Sequence, residues 1–171
     1  MRAVIVNPSV IVGERDTRFH AGQLIRDICR GRVPFYVDGG MNIVYAGDVA
    51  AGMIAAAEQG ETGERYILAG ENLTHREIFR IVADVTGGRR PVAKLPPWIL
   101  RWAGHAVEGV SALLGVVPPL TADIAAVAGR FNWYSSKKAR RVLGFTTIPL
   151  DETIRAAFRW YVEKGYLTPP R

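Results

Sequence analysis

Two groups of residues in this sequence have the types and spacing to do chemistry. Tyr134 and Lys138 stand four apart. An ammonium held beside a phenol lowers the phenol's pKa, which lets it give or take a proton near neutral pH. Earlier in the chain, Arg15, Arg18 and His20 fall within one loop, where a guanidinium can clamp a phosphate or carboxylate through two parallel hydrogen bonds. Gln23 follows on the next helix, and Asn42 and Tyr45 are further residues whose side chains can hydrogen-bond a ligand. Solvated loop charge is the competing reading of the two arginines, and a core or sheet position that of Tyr45. Metal chemistry is not expected, because His20, His75, His105 and Cys29 have no zinc-like spacing. His75 falls inside a capping box and His105 on an apolar helix, which assigns both to structure. Asp48, beside Gly47, looks like a catalytic acid but is accounted for as a helix N-cap.

The elements that position these groups must come from one ordinary core, since the chain has 171 residues and is 49% hydrophobic. That composition excludes disorder. The lone Cys29 excludes an intramolecular disulfide framework, and a cytoplasmic location follows as the default. A net charge of +6 is spread over several predicted helices, which favours a small anionic ligand over nucleic acid. The opening apolar run, residues 3–6, is too short for a signal-peptide core and is cut off by Asn7-Pro8.

That run reads as a buried parallel strand ending at Asn7-Pro8. A helix is predicted over 21–30 with Leu24, Ile25 and Ile28 on one stripe, ended by Gly31. Residues 35–37 and 43–45, separated by Asp38-Gly39-Gly40, predict a hairpin or small sheet. A helix over 49–59 capped by Asp48 and a strand over 65–68 should follow, with Gly70-Glu71-Asn72 as a turn. Thr74 and Glu77 have capping-box spacing and open a helix that buries Ile78, Ile81, Val82 and Val85 before Gly87-Gly88. From Pro97 to Leu114, Trp98, Trp102, Ala106 and Val110 recur at helical spacing, interrupted by Arg101, His105 and Glu108, which disfavours a membrane span. Further helices are expected over 121–129, 136–143 and 151–164.

Several blocks, in order, resemble the extended short-chain dehydrogenases/reductases of the NAD-dependent epimerase/dehydratase type, particularly dihydroflavonol-reductase-like and hopanoid-associated sugar-epimerase-like members. They are Val4-Ile5-Val6-Asn7-Pro8-Ser9 with Gly13 and Asp16; Asp38 to Tyr45 with Asp48-Val49-Ala50; Gly63 to Leu68 with Gly70-Glu71-Asn72; Lys138 to Phe145; and Leu150 to Tyr161. The resemblance covers nearly the whole chain. It implies an α/β fold: the late strands of an incomplete Rossmann-type sheet plus a mostly helical substrate-binding domain over 1–171. It also implies that Asn7, Pro8 and Ser9 lie at the nicotinamide end of NAD or NADP, and that Arg15, Arg18, His20 and Gln23 face the substrate.

The sequence departs from the family in two places. It has no glycine-rich turn to hold a pyrophosphate at a helix N-terminus. Nor is Tyr134–Lys138 the family's Tyr-x-x-x-Lys pair. It follows the Asn-Pro-Ser strand, whereas the family's catalytic helix precedes it, and Ser135 there fits a cap. The expectation is therefore no catalytic residue in this chain, no cofactor bound by it alone, and an N-terminal dinucleotide-binding half that is separate or missing. Self-association through uncovered edges at Val4–Val6 and Tyr66–Leu68 is also expected. The implied partner is a small carbonyl, sugar or nucleotide-sugar substrate rather than nucleic acid. A membrane-surface or partner-binding module using the Trp98–Leu114 helix is the alternative.

Overall fold

In the computed structural model of the chain, residues 3–96, 98, 99, 102, 107, 111 and 129–170 are described. The helices expected over 97–114 and 121–129 fall almost entirely outside them. The chain begins in β1 (Ile5–Pro8), and then, after Ser9 alone, β2 (Val10–Val12). β1 lies parallel to β5 (Arg65–Leu68), with Asn7 opposite Ile67 and Pro8 opposite Leu68. β2 instead runs parallel to β4 (Gly40–Tyr45), Val10 opposite Ile43. The strand expected to stop at Asn7-Pro8 therefore continues through both residues and changes sheet one residue later. Proline is tolerated there because the outer edge of β1 has no strand partner among the described residues, so its missing N–H leaves no ladder bond unmade.

β4 is the hub. On one side it pairs with β2 and with β8 (Phe131–Asn132), and on the other with β6 (Glu71–Thr74), antiparallel. A strand enclosed in this way should be apolar throughout, and within Gly40–Tyr45 even Asn42 is buried. The predicted hairpin is not formed. β3 (Phe35–Tyr36) pairs with β7 (Ala93–Lys94) rather than with β4, because the Asp38-Gly39-Gly40 segment leads the chain out of one sheet and into another. The turn expected at Gly70-Glu71-Asn72 is instead the start of β6.

Among the described residues, the helices that pack on these sheets are α1 (Gln23–Cys29), α2 (Ala46–Gln59), α3 (His75–Thr86), α4 (Lys137–Leu143) and α5 (Leu150–Glu163). The capping box of α3 forms as its spacing predicts. The Glu77 amide donates to Thr74 Oγ1 at 3.3 Å, and the Thr74 amide donates to the Glu77 carboxylate at 2.8 Å. Gly87 closes the helix at φ 71°, a backbone conformation that costs a residue with a Cβ free energy. Asp48 is not an N-cap. α2 begins two residues before it, and its carboxylate accepts the Ile148 amide at 2.9 Å, tying the segment before α5 to α2.

The described residues form two cores. One lies between β5, α2 and α4, around Tyr66, Leu68, Ala139 and Phe145. The other lies between β2, β4, α1, α3 and α5, around Val12, Ile25, Ile43, Ile78 and Ile154. The period-2 pattern of β5 explains why the first core is one-sided: Tyr66 and Leu68 are fully buried while Ile67 points away. The Tyr66–Leu68 segment, expected to have uncovered edges, is thus covered on one face, while the β1–β5 pair has no further strand among the described residues. The uncovered side carries Ile67 and, on β1, Ile5, which are 38% and 44% exposed.

Candidate functional site

The loop between β2 and α1 is organised by Asp16. Its carboxylate accepts the amides of Gly22 at 2.9 Å, His20 at 3.0 Å and Ala21 at 3.1 Å, and the Tyr161 hydroxyl lies 3.4 Å away. Burial pushes this carboxyl's pKa up, but the three amides together draw it down further, and it stands below its ordinary value. Tyr161 is driven the other way, its pKa raised by burial and by the adjacent Asp16 charge. Phe19 stacks on the Tyr161 ring at 4.6 Å, and the Arg26 guanidinium sits 5.1 Å from the Phe19 ring centre. Arg15 and Phe19 adopt left-handed backbone at φ 68° and 54°, which persists only where surrounding contacts hold it. Gly22 is required by close approach, since a methyl group there would overlap the Tyr161 hydroxyl.

This loop ends at the mouth of a cavity of about 650 Å³ between the β2–β4 sheet, α1 and α3. That size suits a small-molecule site. Its lining is mostly apolar, including Val12, Leu24, Met41, Ile43, Ile78 and Phe79, with Asp27, Tyr36 and His75 also bordering it. His20, Gln23, Val10 and Phe35 also line it and are exposed, so the opening lies among them. The sequence-predicted substrate residues therefore divide. His20 and Gln23 come together at the mouth, whereas Arg15 and Arg18 are exposed and do not line the cavity. Asn42 and Tyr45 do not approach it either. Asn42 is buried, donating to the Gly70 carbonyl and Asn72 and accepting the Gly70 amide, while the Tyr45 hydroxyl donates to Glu14 beside a separate hollow shared with Arg155 and Arg159.

Sequence reasoning missed His75. Its place in the capping box assigned it to structure, whereas it also borders the cavity. Its Nδ1 lies 3.3 Å from the Val37 carbonyl oxygen, and burial lowers its pKa, which keeps the ring neutral. No local sequence signal marks it, because the cavity brings together residues far apart in the chain.

Asn7 and Pro8 are exposed at the C-terminal end of β1, and the Ser9 hydroxyl is buried with no hydrogen-bond partner. Tyr134 and Lys138 do not form a proton-transfer pair. Lys138 Nζ is ion-paired with Glu64 and lies 4.8 Å from the Tyr66 ring centre, while Tyr134 exchanges backbone hydrogen bonds with the Asn72 side chain at 3.0 and 3.1 Å. Among the described residues, no cluster of three or more His, Cys, Asp or Glu could hold a metal ion, and no helix is long and apolar enough to cross a membrane.

No family model matches the chain. It is 31% identical over 169 residues to a dihydroflavonol 4-reductase-like protein of Synechocystis sp., which matches 96% of this chain and 49% of that protein. It is 30% identical over 175 residues to sterol demethylase protein B of Methylococcus capsulatus, covering 95% and 51%. PA4631, a nucleoside-diphosphate-sugar epimerase from Pseudomonas aeruginosa, superposes with a TM-score of 0.74 at 30% identity, over 98% of this chain and 50% of that one. The chain belongs to the extended short-chain dehydrogenase/reductase superfamily. As a member of it, the chain spans about half the length of the curated relatives it matches and corresponds to the C-terminal part of the superfamily's fold. Intact members of this superfamily work with NAD or NADP. The mixed α/β architecture with parallel strands is that of a Rossmann-type protein represented by its later strands.

Proposed function

We propose that residues 1–171 form the substrate-binding half of an NAD(P)-dependent oxidoreductase or epimerase, acting with a dinucleotide-binding half supplied by another segment or chain. One observation supports this most. The strand end carrying Asn7, Pro8 and Ser9 runs, after one residue, into Val10 and Val12, which line the cavity. A nicotinamide held at that strand end would therefore lie next to a substrate in the cavity, as hydride transfer requires. In this arrangement Ser9 Oγ and the polar side of Asn7 hold the carboxamide. The apolar walls exclude water, and His20 and Gln23 orient the substrate at the mouth. The nicotinamide, when bound, supplies or accepts the hydride. Arg15 and Arg18, away from the cavity, stay available to a charged group that projects from the mouth.

The test is reconstitution. The chain alone should neither bind NAD(P)H tightly nor turn it over. Mixed or fused with the dinucleotide-binding half of a relative, it should bind the cofactor, and Ser9→Val should weaken that binding several-fold with no change in folding. Tight NAD(P)H binding by the chain alone would overturn the proposal. A second reading, a surface-docking module, is supported by the exposure of Trp98 and Trp102, at 63% and 71%. It requires Trp98→Ala/Trp102→Ala to abolish co-sedimentation with anionic lipid vesicles.

A further inference from the structure

Among the polar residues that line the mostly apolar cavity, Asp27 is ion-paired with Arg26, His20 and Gln23 are exposed, and His75 is buried. His75 opens α3 and is 7% exposed, its ring nearly parallel to Phe79 with centres 5.9 Å apart. A carbonyl oxygen can only accept, so the proton of the neutral ring sits on Nδ1, facing Val37. Nε2 is left with a lone pair. It has no hydrogen-bond partner among the described residues. The open space that His75 borders is the 650 Å³ cavity.

We propose that His75 Nε2 accepts a hydrogen bond from the hydroxyl of a largely hydrocarbon ligand, an isoprenoid or steroid-type alcohol, bound in this cavity. The inference rests on the reading of the cavity as the substrate site and narrows its substrate class. A nucleotide sugar would bring phosphates and several hydroxyls against Val12, Leu24, Ile43 and Phe79, where they would lose water, and its phosphates would meet the Asp27 carboxylate rather than a cation. The arginines that could answer a phosphate, Arg15 and Arg18, lie outside. A hydrocarbon body with one hydroxyl satisfies both the walls and the imidazole.

The full chain is titrated with farnesol, farnesene and UDP-glucose, following ligand binding by NMR. Farnesol should bind about three- to tenfold more tightly than farnesene, the range expected for one hydrogen bond to a neutral acceptor. UDP-glucose should not displace it. His75→Asn keeps a donor toward Val37 but places no acceptor at the Nε2 position. It should retain the wild-type urea midpoint and bind farnesol and farnesene equally. His75→Gln, with an oxygen near the Nε2 position, should restore the preference. Displacement of farnesol by UDP-glucose, absence of farnesol binding, or equal affinity of the wild type for farnesol and farnesene would overturn the inference, whatever the variants' stability. Turnover of a nucleotide sugar by the reconstituted pair without farnesol binding sinks this inference and spares the proposed function. Farnesol binding with no dinucleotide binding by the pair does the reverse.

Discussion

Replacing Asp16 by alanine should unfold the approach to the cavity. The substitution strips three amides and one buried phenol of their common acceptor. Loss of a helix-capping acceptor costs about 1 kcal/mol, and leaving a buried hydroxyl such as that of Tyr161 unpaired costs about 1–3 kcal/mol more. The sum is about 2–4 kcal/mol. With a urea m-value of about 2 kcal/mol/M for a chain of this size, the midpoint should fall by about 1–2 M. Asp16→Asn keeps one acceptor oxygen and should lose about half as much. Because the folded carboxyl is held below its ordinary value, its contribution is complete above the unfolded pKa and is lost as the pH falls through the folded one. Wild type should therefore lose stability toward acid more steeply than either variant. The readout is urea denaturation by circular dichroism at several pH values. An Asp16→Ala midpoint within about 0.25 M of wild type, or an unchanged acid slope, would refute the role assigned to this carboxylate.

Other outcomes follow from the same structure. Thr74→Ala removes half of the α3 capping box and should cost about 1 kcal/mol in urea unfolding. Asn42→Ala takes its partner from the partly buried Gly70 amide and carbonyl and should cost about 1–3 kcal/mol by the same assay. His75, held neutral by burial, binds its proton later than the unfolded chain does. Its share of stability is full above the unfolded value of 6.5 and declines as the pH falls toward the lowered folded value, a slope that His75→Asn should flatten between pH 7 and 5. Ile5→Glu with Ile67→Glu should reduce self-association in light scattering at high concentration, since it charges the uncovered side of the β1–β5 pair. An equally monodisperse monomer before and after would remove the reason for that expectation.

What the sequence disclosed was what short range decides. Thr74 and Glu77 fix the start of α3 through bonds three residues apart, and the helical stripe Ile78, Ile81 and Val82 needs only the 3.6-residue period. The resemblance of ordered blocks added the fold class, because such blocks carry information that no single element holds. Pairing was hidden. Nothing local in Phe35-Tyr36 indicates a two-residue partner at Ala93-Lys94, and Asp38-Gly39-Gly40 has the composition of a hairpin turn without making one. Asp16 showed the same limit within the site, since its three amide bonds depend on the left-handed turns at Arg15 and Phe19. Residue type alone grouped His20 and Gln23 with Arg15 and Arg18, although only the first two line the cavity. That distinction depends on where α1 docks.

The passage through Ser9 has a mechanical consequence. One residue spans at most about 3.5 Å, so the β1–β5 pair cannot tilt without dragging Val10 and the cavity wall along with it. A guest that stiffens either side of that joint stiffens the other, and thermodynamic reciprocity makes the benefit equal in both directions. Fit at the strand end and fit in the hydrocarbon chamber thus become a single adjustment shared across one peptide unit.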